Sequence, residues 1–291
     1  MIKNKIKKAL IPVAGLGTRM LPATKAIPKE LLPIYDKPII QYVVEEALEA
    51  GIDEIIFITR SGKESIENHF DVNYDLEKTL KKNNDKENLN KLNITSNKKL
   101  KISSVRQEVP NGLGDAILCA KNLVKNDEPF AVLLPDEFLL SSMPGFDLKK
   151  LVSSFNKTGF TQLLIEKIPK KLVSFYGMVQ YQKSSKTNIL KIIEKPKPEI
   201  CPSRDRVIGR YLFPYEIFNY LSKIKPGINH EIQLTDAINL LLEEKQNHVN
   251  TIISESRVYD CGSKKGFIGA NLEMSLLDKG MKKYLKQIIM N

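Results

Sequence analysis

Apolar positions follow two rhythms along the chain. Short unbroken runs occur at Ile6 to Val13, Glu54 to Thr59, Lys101 to Arg106, Phe130 to Leu134, Thr161 to Ile168 and Val207 to Leu212, and they read as strands. Between the first two, Ile39, Ile40, Val43, Val44, Ala47 and Leu48 recur at helical spacing. Asp36-Lys37-Pro38 marks the start of this helix, with Pro near the first turn, and Gly51 its stop. Ser61 and Glu64 form a capping-box pattern that opens a short helix toward Phe70. Further helices are expected over 115–124, 147–155, 215–224 and 234–244, and an amphipathic one from Lys264 to Ile289, broken near Gly280. Tyr176 to Val179, Ile189 to Glu194 and a segment near Thr251 read as shorter strands. Alternation of strand and helix implies right-handed βαβ units. The expected fold is α/β: three layers, a mostly parallel central sheet and inserted substrate-binding elements, in one domain over 1–291. Residues 71–98 break the rhythm. They are polar, with Leu76 and Leu80 at helical spacing, and read as a partly helical, solvated insertion without catalytic role.

Composition narrows the class. Hydrophobic residues make up 42% of the 291, ordinary for a globular protein. No apolar run is long enough to span a bilayer, and the Lys-rich N-terminus lacks the apolar core of a signal peptide, so a soluble, cytoplasmic protein is expected. The three cysteines form no C-x-x-C pair and the three histidines lack ligand spacing, which argues against a disulfide framework or a zinc site. The formal net charge is +11, carried mostly by lysines scattered among acids, with concentrations at 3–8 and 81–101. No aromatic residues interleave them as a nucleic-acid surface would require. The charge is better suited to attracting anionic substrates.

The chemistry begins where the first strand ends. Ala14-Gly15-Leu16-Gly17-Thr18-Arg19 is a small-residue loop, and Lys25 and Lys29 follow it. Glycines let a ligand approach the backbone, and successive N–H groups in such a turn form an anion-binding concavity. Arg19 and Lys29 can neutralise a polyphosphate from the sides. The dinucleotide fingerprint is excluded, because Met20 stands where its third glycine belongs, and no Walker A run occurs. Asp136 ends an apolar strand, and Asp260 lies in VYDCG. Mg²⁺ favours one or two carboxylates completed by substrate phosphates and water. Both acids, the glycine loop, the second glycine loop at 107–114 and Glu194-Lys195 all fall near carboxyl ends of strands, where such sheets bind ligands.

The stretch GLGTRM, then LPATKAIPKELLPI, DKP and IQYV, closely resembles the sugar nucleotidyltransferases, and within them the bacterial UTP–glucose-1-phosphate uridylyltransferases. The resemblance implies a Rossmann-like nucleotidyltransferase fold and a direct transfer. A phosphate oxygen of glucose 1-phosphate attacks the α-phosphorus of UTP, and UDP-glucose and pyrophosphate result. It implies Arg19, Lys29 and Lys195 as charge-neutralising catalytic groups, and Ala14, Gly15, Gly17, Thr18 and Lys25 as nucleotide-binding. Gln107 and Gly112 would read the base. Gly177 and Glu194 would bind the sugar. Asp136 and Asp260 match the family's metal positions, with Mg²⁺ as cofactor. The expected assembly is a homo-oligomer, dimer or tetramer, with neither nucleic acid nor membrane as partner. Asp115 departs from the pattern, since relatives commonly carry His there, and it is left outside the expected site. The alternatives are a dTTP-using transferase and a non-catalytic relative. Retention of Thr18-Arg19 and both acids weighs against the second.

Overall fold

The computed structural model describes residues 5–92, 94, 99–183, 185, 187–227 and 230–290. Strand β1 (Lys8–Pro12) runs into the glycine loop. A small antiparallel ladder of β2 (Pro33–Ile34) and β3 (Lys37–Pro38) comes next. Helix α1 (Ile39–Glu49) starts with Pro38 as its N-cap, so Lys37 and Pro38 belong to the ladder instead of the first helical turn. Strand β4 (Glu54–Thr59) leads to α2 (Glu64–Phe70). The expected capping box is not formed. Gly62 has φ +83°, which no first helical residue adopts, so the helix starts later with Lys63 as N-cap. Glu64 instead accepts a hydrogen bond from the Gly62 N–H at 3.2 Å.

The polar insertion is helical. Helices α3 (Tyr74–Lys82) and α4 (Lys86–Lys91) bury no residue and are capped by the side chains of Asn73 and Asp85. Residues 93 and 95–98 of the expected insertion lie outside the described residues. Then follow β5 (Lys101–Arg106), α5 (Leu113–Cys119), β6 (Phe130–Leu133), β7 (Glu137–Leu140), α6 (Phe146–Thr158), β8 (Thr161–Lys167), β9 (Gly177–Tyr181) and β10 (Ile189–Glu194). Strand β11 (Asp205–Phe213), α7 (Ile217–Leu221), α8 (Leu234–Glu244), β12 (Val249–Ile253), β13 (Arg257–Asp260), α9 (Lys264–Leu277) and α10 (Lys279–Met290) complete the order. The C-terminal break falls at Asp278, whose extended backbone ends α9, slightly before Gly280.

The expected α/β class with its parallel central sheet is found. Strands β6, β1, β4 and β5 run parallel side by side, and β12 runs parallel to β8. Strand β11 lies antiparallel to β6, β8 and β9 and joins these groups into a nine-stranded sheet. Its later residues pair with β6, whereas Arg206 faces Met178 of β9. Apolar runs without alternation are what a sheet covered on both faces requires. Side chains of a strand alternate between faces. Leu10, Ile56 and Val132 join a core with Ile117, Phe218 and Ile238 of α5, α7 and α8. Ala9, Ile11 and Phe57 join another with Val44, Leu148 and Leu151 of α1 and α6. Helices therefore cover both faces in three layers.

A second ladder matters more for the site. Strands β7 and β13 pair antiparallel with Phe138 opposite Tyr259 and Glu137 opposite Asp260. Neither strand is evident in the apolar pattern. The ladder closes a third cluster of Ile34, Ile39, Phe138, Cys261 and Ala270.

Candidate active site

Asp136 sits in the turn between β6 and β7, and buried charge fixes that turn. Arg210, fully buried in β11, donates to the Leu134 carbonyl at 2.9 Å and the Glu137 carbonyl at 2.9 Å. Its guanidinium pairs with Glu46 of α1 at 2.8 Å. The register of β11 shifts between Ile208 and Tyr211, and at Gly209 a Cβ would meet the Leu134 side chain at 2.4 Å. The Gly209 N–H donates to the Glu137 carboxylate. A bulged strand and the buried Arg210, paired with Glu46 and bound to carbonyls on both sides of Asp136, thus fix the turn that carries its carboxylate.

The β7–β13 ladder carries Asp260 to the same place. Lys29 Nζ lies 2.6 Å from Asp136 Oδ2. Arg19 reaches both acids, at 3.8 Å from Asp136 Oδ2 and 3.3 Å from Asp260 Oδ2. The Gly262 N–H donates to Asp260 Oδ1 at 3.0 Å. An ideal Cβ on Gly262 would lie 3.0 Å from Asp136 Oδ2 and 3.0 Å from Asp260 Oδ1, so the two oxygens are no farther apart than twice that distance. Burial opposes ionisation of Asp136, but Lys29 and then Arg19 outweigh it and hold the carboxyl below the usual range. Burial likewise disfavours the Lys29 ammonium, and Asp136 and Glu30 more than restore it. Lys29 passes Gly15 on its way, its Nζ 3.9 Å from where a Cβ would stand. Gly17 has φ +68°, and its carbonyl accepts from the Thr24 hydroxyl at 2.8 Å.

A contact path leads from these acids to the expected sugar residues. The Tyr176 hydroxyl donates to Asp260 Oδ2 at 3.4 Å, and its ring lies under the Arg206 guanidinium at 4.1 Å. Burial pushes the phenol pKa up against the opposing charge of Arg206, so it remains a donor. Gly177 is next in the chain and pairs with Glu194 across β9 and β10. A Cβ at 177 would lie 3.2 Å from Glu194 Oε2. Lys195 Nζ is 3.4 Å from Glu194 Oε1. Lys195 holds φ +46°, a strained value for a residue with a side chain, and such strain concentrates at functional sites. One cavity of about 1010 Å³ takes in Thr18, Arg19, Asp136, Asp260, Gly177, Glu194 and Lys195.

The remaining expected residues lie outside that lining. Ala14 is buried, Gly15 and Lys25 are exposed, and Gly17 is partly covered. Gln107 and Gly112 sit together, the amide nitrogen of Gln107 donating to the Gly112 carbonyl at 3.2 Å. The Gly112 requirement is met by protein: with φ +99°, its Cβ would strike the Ile232 carbonyl oxygen at 2.8 Å. Sequence reasoning passed over Gly262, Tyr176, Arg206 and Arg210 as site residues. For the arginines a signal existed, two charges inside the otherwise apolar β11 run VIGRYLF and its approach. For Gly262 there was only its place after Asp260-Cys261.

The donor set fits a divalent cation. Two carboxylates, Asp136 and Asp260, flank the point where a Gly262 Cβ would stand, with Lys29 and Arg19 beside them. Among the described residues no group of three or more His, Cys, Asp or Glu gathers at one point. A hard cation here needs phosphate oxygens and water to complete its shell, as Mg²⁺ commonly does.

A three-layer sheet with a glycine loop, paired carboxylates and convergent cations is the architecture of a nucleotidyl transferase. The sequence profile of the nucleotidyl transferase family matches residues 8–275, and the chain belongs to that family. Among similar proteins, the UTP–glucose-1-phosphate uridylyltransferase of Escherichia coli K12 is 43% identical over 283 residues, 94% of this chain and 92% of that protein. Its counterpart in Bacillus subtilis 168 is 42% identical over 287 residues, 97% of this chain and 95% of the relative. A solved UTP-bound UGPase from Acinetobacter baumannii superposes with a TM-score of 0.88 at 40% identity, covering 98% of this chain and 99% of its own. A UDP-glucose pyrophosphorylase complexed with UDP-glucose gives a TM-score of 0.81 at 40% identity, covering 94% and 100%.

Proposed function

We propose that the chain transfers the uridylyl group of UTP to α-D-glucose 1-phosphate, giving UDP-glucose and pyrophosphate. The observation that carries this reading is the single cavity in which Arg19, Asp136 and Asp260 meet Gly177, Glu194 and Lys195. The choice of substrates is supported by relatives named for this reaction over nearly their full length, and by a structural neighbour solved with UTP.

In this reading the loop of Ala14, Gly15, Gly17 and Thr18, with Lys25, holds the triphosphate, and Gln107 and Gly112 face the uracil. Gly177 lets the sugar approach the backbone, Glu194 accepts from its hydroxyls, and Lys195 holds its phosphate. That phosphate is already an anion, so the protein need not supply a nucleophile. An oxygen of glucose 1-phosphate forms a bond to the α-phosphorus as the bond to the pyrophosphate oxygen breaks. Arg19, Lys29 and Lys195 offset the charge that develops, and fixed positions lower the barrier. Asp136 and Asp260 would hold Mg²⁺. When bound, it withdraws charge from the phosphate oxygens. One phosphoanhydride replaces another, so the reaction is freely reversible.

The whole chain acts here as one nucleotidyltransferase domain, cytoplasmic and homo-oligomeric. An apolar face on α9 and α10, with Ile268, Leu272, Tyr284 and Ile288 exposed, supports self-association. No described helix is long and apolar enough to cross a membrane. The test is pyrophosphate release with Mg²⁺, a panel of nucleoside triphosphates and a panel of sugar 1-phosphates. UTP with glucose 1-phosphate is expected to be the fastest pair. A preference for dTTP would overturn the assignment.

A further inference from the structure

We infer that Asp115, a residue outside the expected site, determines base specificity by locking the orientation of the Gln107 amide. The inference rests on the reading in which Gln107 faces the nucleobase. Gln107 is buried, with 6% of its surface exposed. Its amide nitrogen donates to Asp115 Oδ2 at 2.7 Å and to the Gly112 carbonyl at 3.2 Å. Both partners are acceptors, one a carboxylate oxygen and the other a backbone carbonyl. Turning the amide over would set its oxygen against two acceptors, exchanging two hydrogen bonds for lone-pair repulsion. The amide therefore has one orientation. Its nitrogen is committed to the protein. Its Oε1 receives none of the hydrogen bonds found among the described residues and is not one of their fully buried unpartnered atoms, so it is left open to solvent or ligand.

The backbone keeps this pair in place. The Gln107 N–H donates to the Thr59 carbonyl at 2.9 Å, which fixes it at the end of β5. Asp115 lies in the first turn of α5, and that turn is laced to the 231–232 segment. The Gly114 N–H donates to the Ile232 carbonyl at 2.8 Å, and the Ile232 N–H donates to the Asn111 carbonyl at 2.7 Å. Cβ atoms at 112 and 114 would lie 2.8 and 2.7 Å from that carbonyl oxygen, so the two glycines permit the close approach.

A free amide oxygen calls for a donor on the ligand. Uracil offers N3–H, whereas cytosine presents a lone pair at the same ring position. The locked amide accepts the first and repels the second, and an unpaired polar group is a strong basis for rejection. Thymine carries the same N3–H, so the lock separates imide bases from cytosine and leaves uracil against thymine to other contacts.

The experiment measures kcat/KM with UTP, CTP and dTTP for wild type, Asp115→Asn and Gln107→Ala. Asparagine keeps the size of aspartate but can donate as well as accept, which frees the Gln107 amide to turn. For Asp115→Asn the CTP-to-UTP ratio is expected to rise about tenfold, the scale of one hydrogen bond, with the dTTP-to-UTP ratio unchanged. A purely structural role for Asp115 would lower all three substrates together and leave both ratios alone, and that result overturns the inference. If Gln107→Ala loses discrimination against CTP and Asp115→Asn keeps it, the inference falls while the base-facing role of Gln107 stands. If Gln107→Ala itself discriminates like wild type, the base-facing role falls first and takes the inference with it. If the asparagine variant fails to fold, Asp115→Ala, which removes one of the two acceptors and leaves the Gly112 carbonyl, is expected to raise the same ratio by a smaller factor, and no rise there overturns the inference.

Discussion

At Gly262 a single methyl group would separate chemistry from folding. An alanine there would place Cβ 2.4 Å from Arg19 Nη2, 3.0 Å from Asp136 Oδ2 and 3.0 Å from Asp260 Oδ1. The backbone at 262 is outside the left-handed region, so alanine is conformationally permitted. Arg19 has 60% of its side chain exposed and swings aside at little cost. The acids have less room. Asp136 is held by Lys29 at 2.6 Å, and Asp260 by the Gly262 N–H at 3.0 Å. Restoring an ordinary carbon–oxygen contact displaces each carboxylate by about 0.4 Å. The methyl also takes up space between the two acids. Misplacement on this scale, with loss of the Arg19 contact, is expected to cut kcat about 100-fold, about 2.7 kcal/mol of transition-state stabilisation. Folding should change by less than about 1 kcal/mol, a Tm shift of about 2–4 °C at most. The assay is pyrophosphate release at saturating UTP and glucose 1-phosphate, run beside thermal unfolding. Near-normal turnover in a variant of unchanged Tm would refute the claim that the phosphates and their cation lie between these carboxylates.

Three further outcomes follow from buried groups. Asp147 of α6 accepts from the Ser254 hydroxyl at 2.7 Å and from the Glu255 and Ser256 N–H groups at 3.2 and 3.1 Å. Burial opposes its ionisation, but these donors outweigh it and depress its pKa, so its stabilisation is full above the unfolded value of about 4 and is lost as pH falls through the folded one. Asp147→Asn should therefore lower Tm at neutral pH and flatten its fall below about pH 4, read from unfolding scans across pH. Glu46→Ala leaves the Arg210 charge buried without its carboxylate partner and should cost about 3–5 kcal/mol in urea unfolding. Burial, and then Asp260 and Asp136, push the Cys261 thiol up to about 12, so alkylation of the native protein at pH 8 should leave Cys261 unmodified by mass spectrometry.

What could be read from the sequence depended on how locally each feature is encoded. Strands β1, β4 and β6 announce themselves because a sheet covered on both faces needs apolar residues at every position. Helix α1 does so through its repeat and Gly51. Strands β7 and β13 have four residues each, with half-exposed ends, and exist through pairing between Phe138 and Tyr259 far apart in sequence. The reading therefore named Asp136 and Asp260 but not the ladder that joins them. The second glycine loop shows a different limit. A sequence indicates that glycine is needed at 112, not what approaches it, and here the visitor is the Ile232 backbone. Asp115 was set aside for departing from a family pattern, yet its partner is Gln107, a relation that only the turn into α5 makes visible.

The claim beneath all of this is that Asp136 and Asp260 jointly hold a divalent cation on the nucleotide's phosphates. Mn²⁺ can stand in for Mg²⁺ and be followed by water-proton relaxation as UTP is titrated into wild type, Asp136→Asn and Asp260→Asn. The wild type should form a relaxation-enhanced ternary complex, with the enhancement lost in each variant. Equal enhancement in all three proteins would contradict the account.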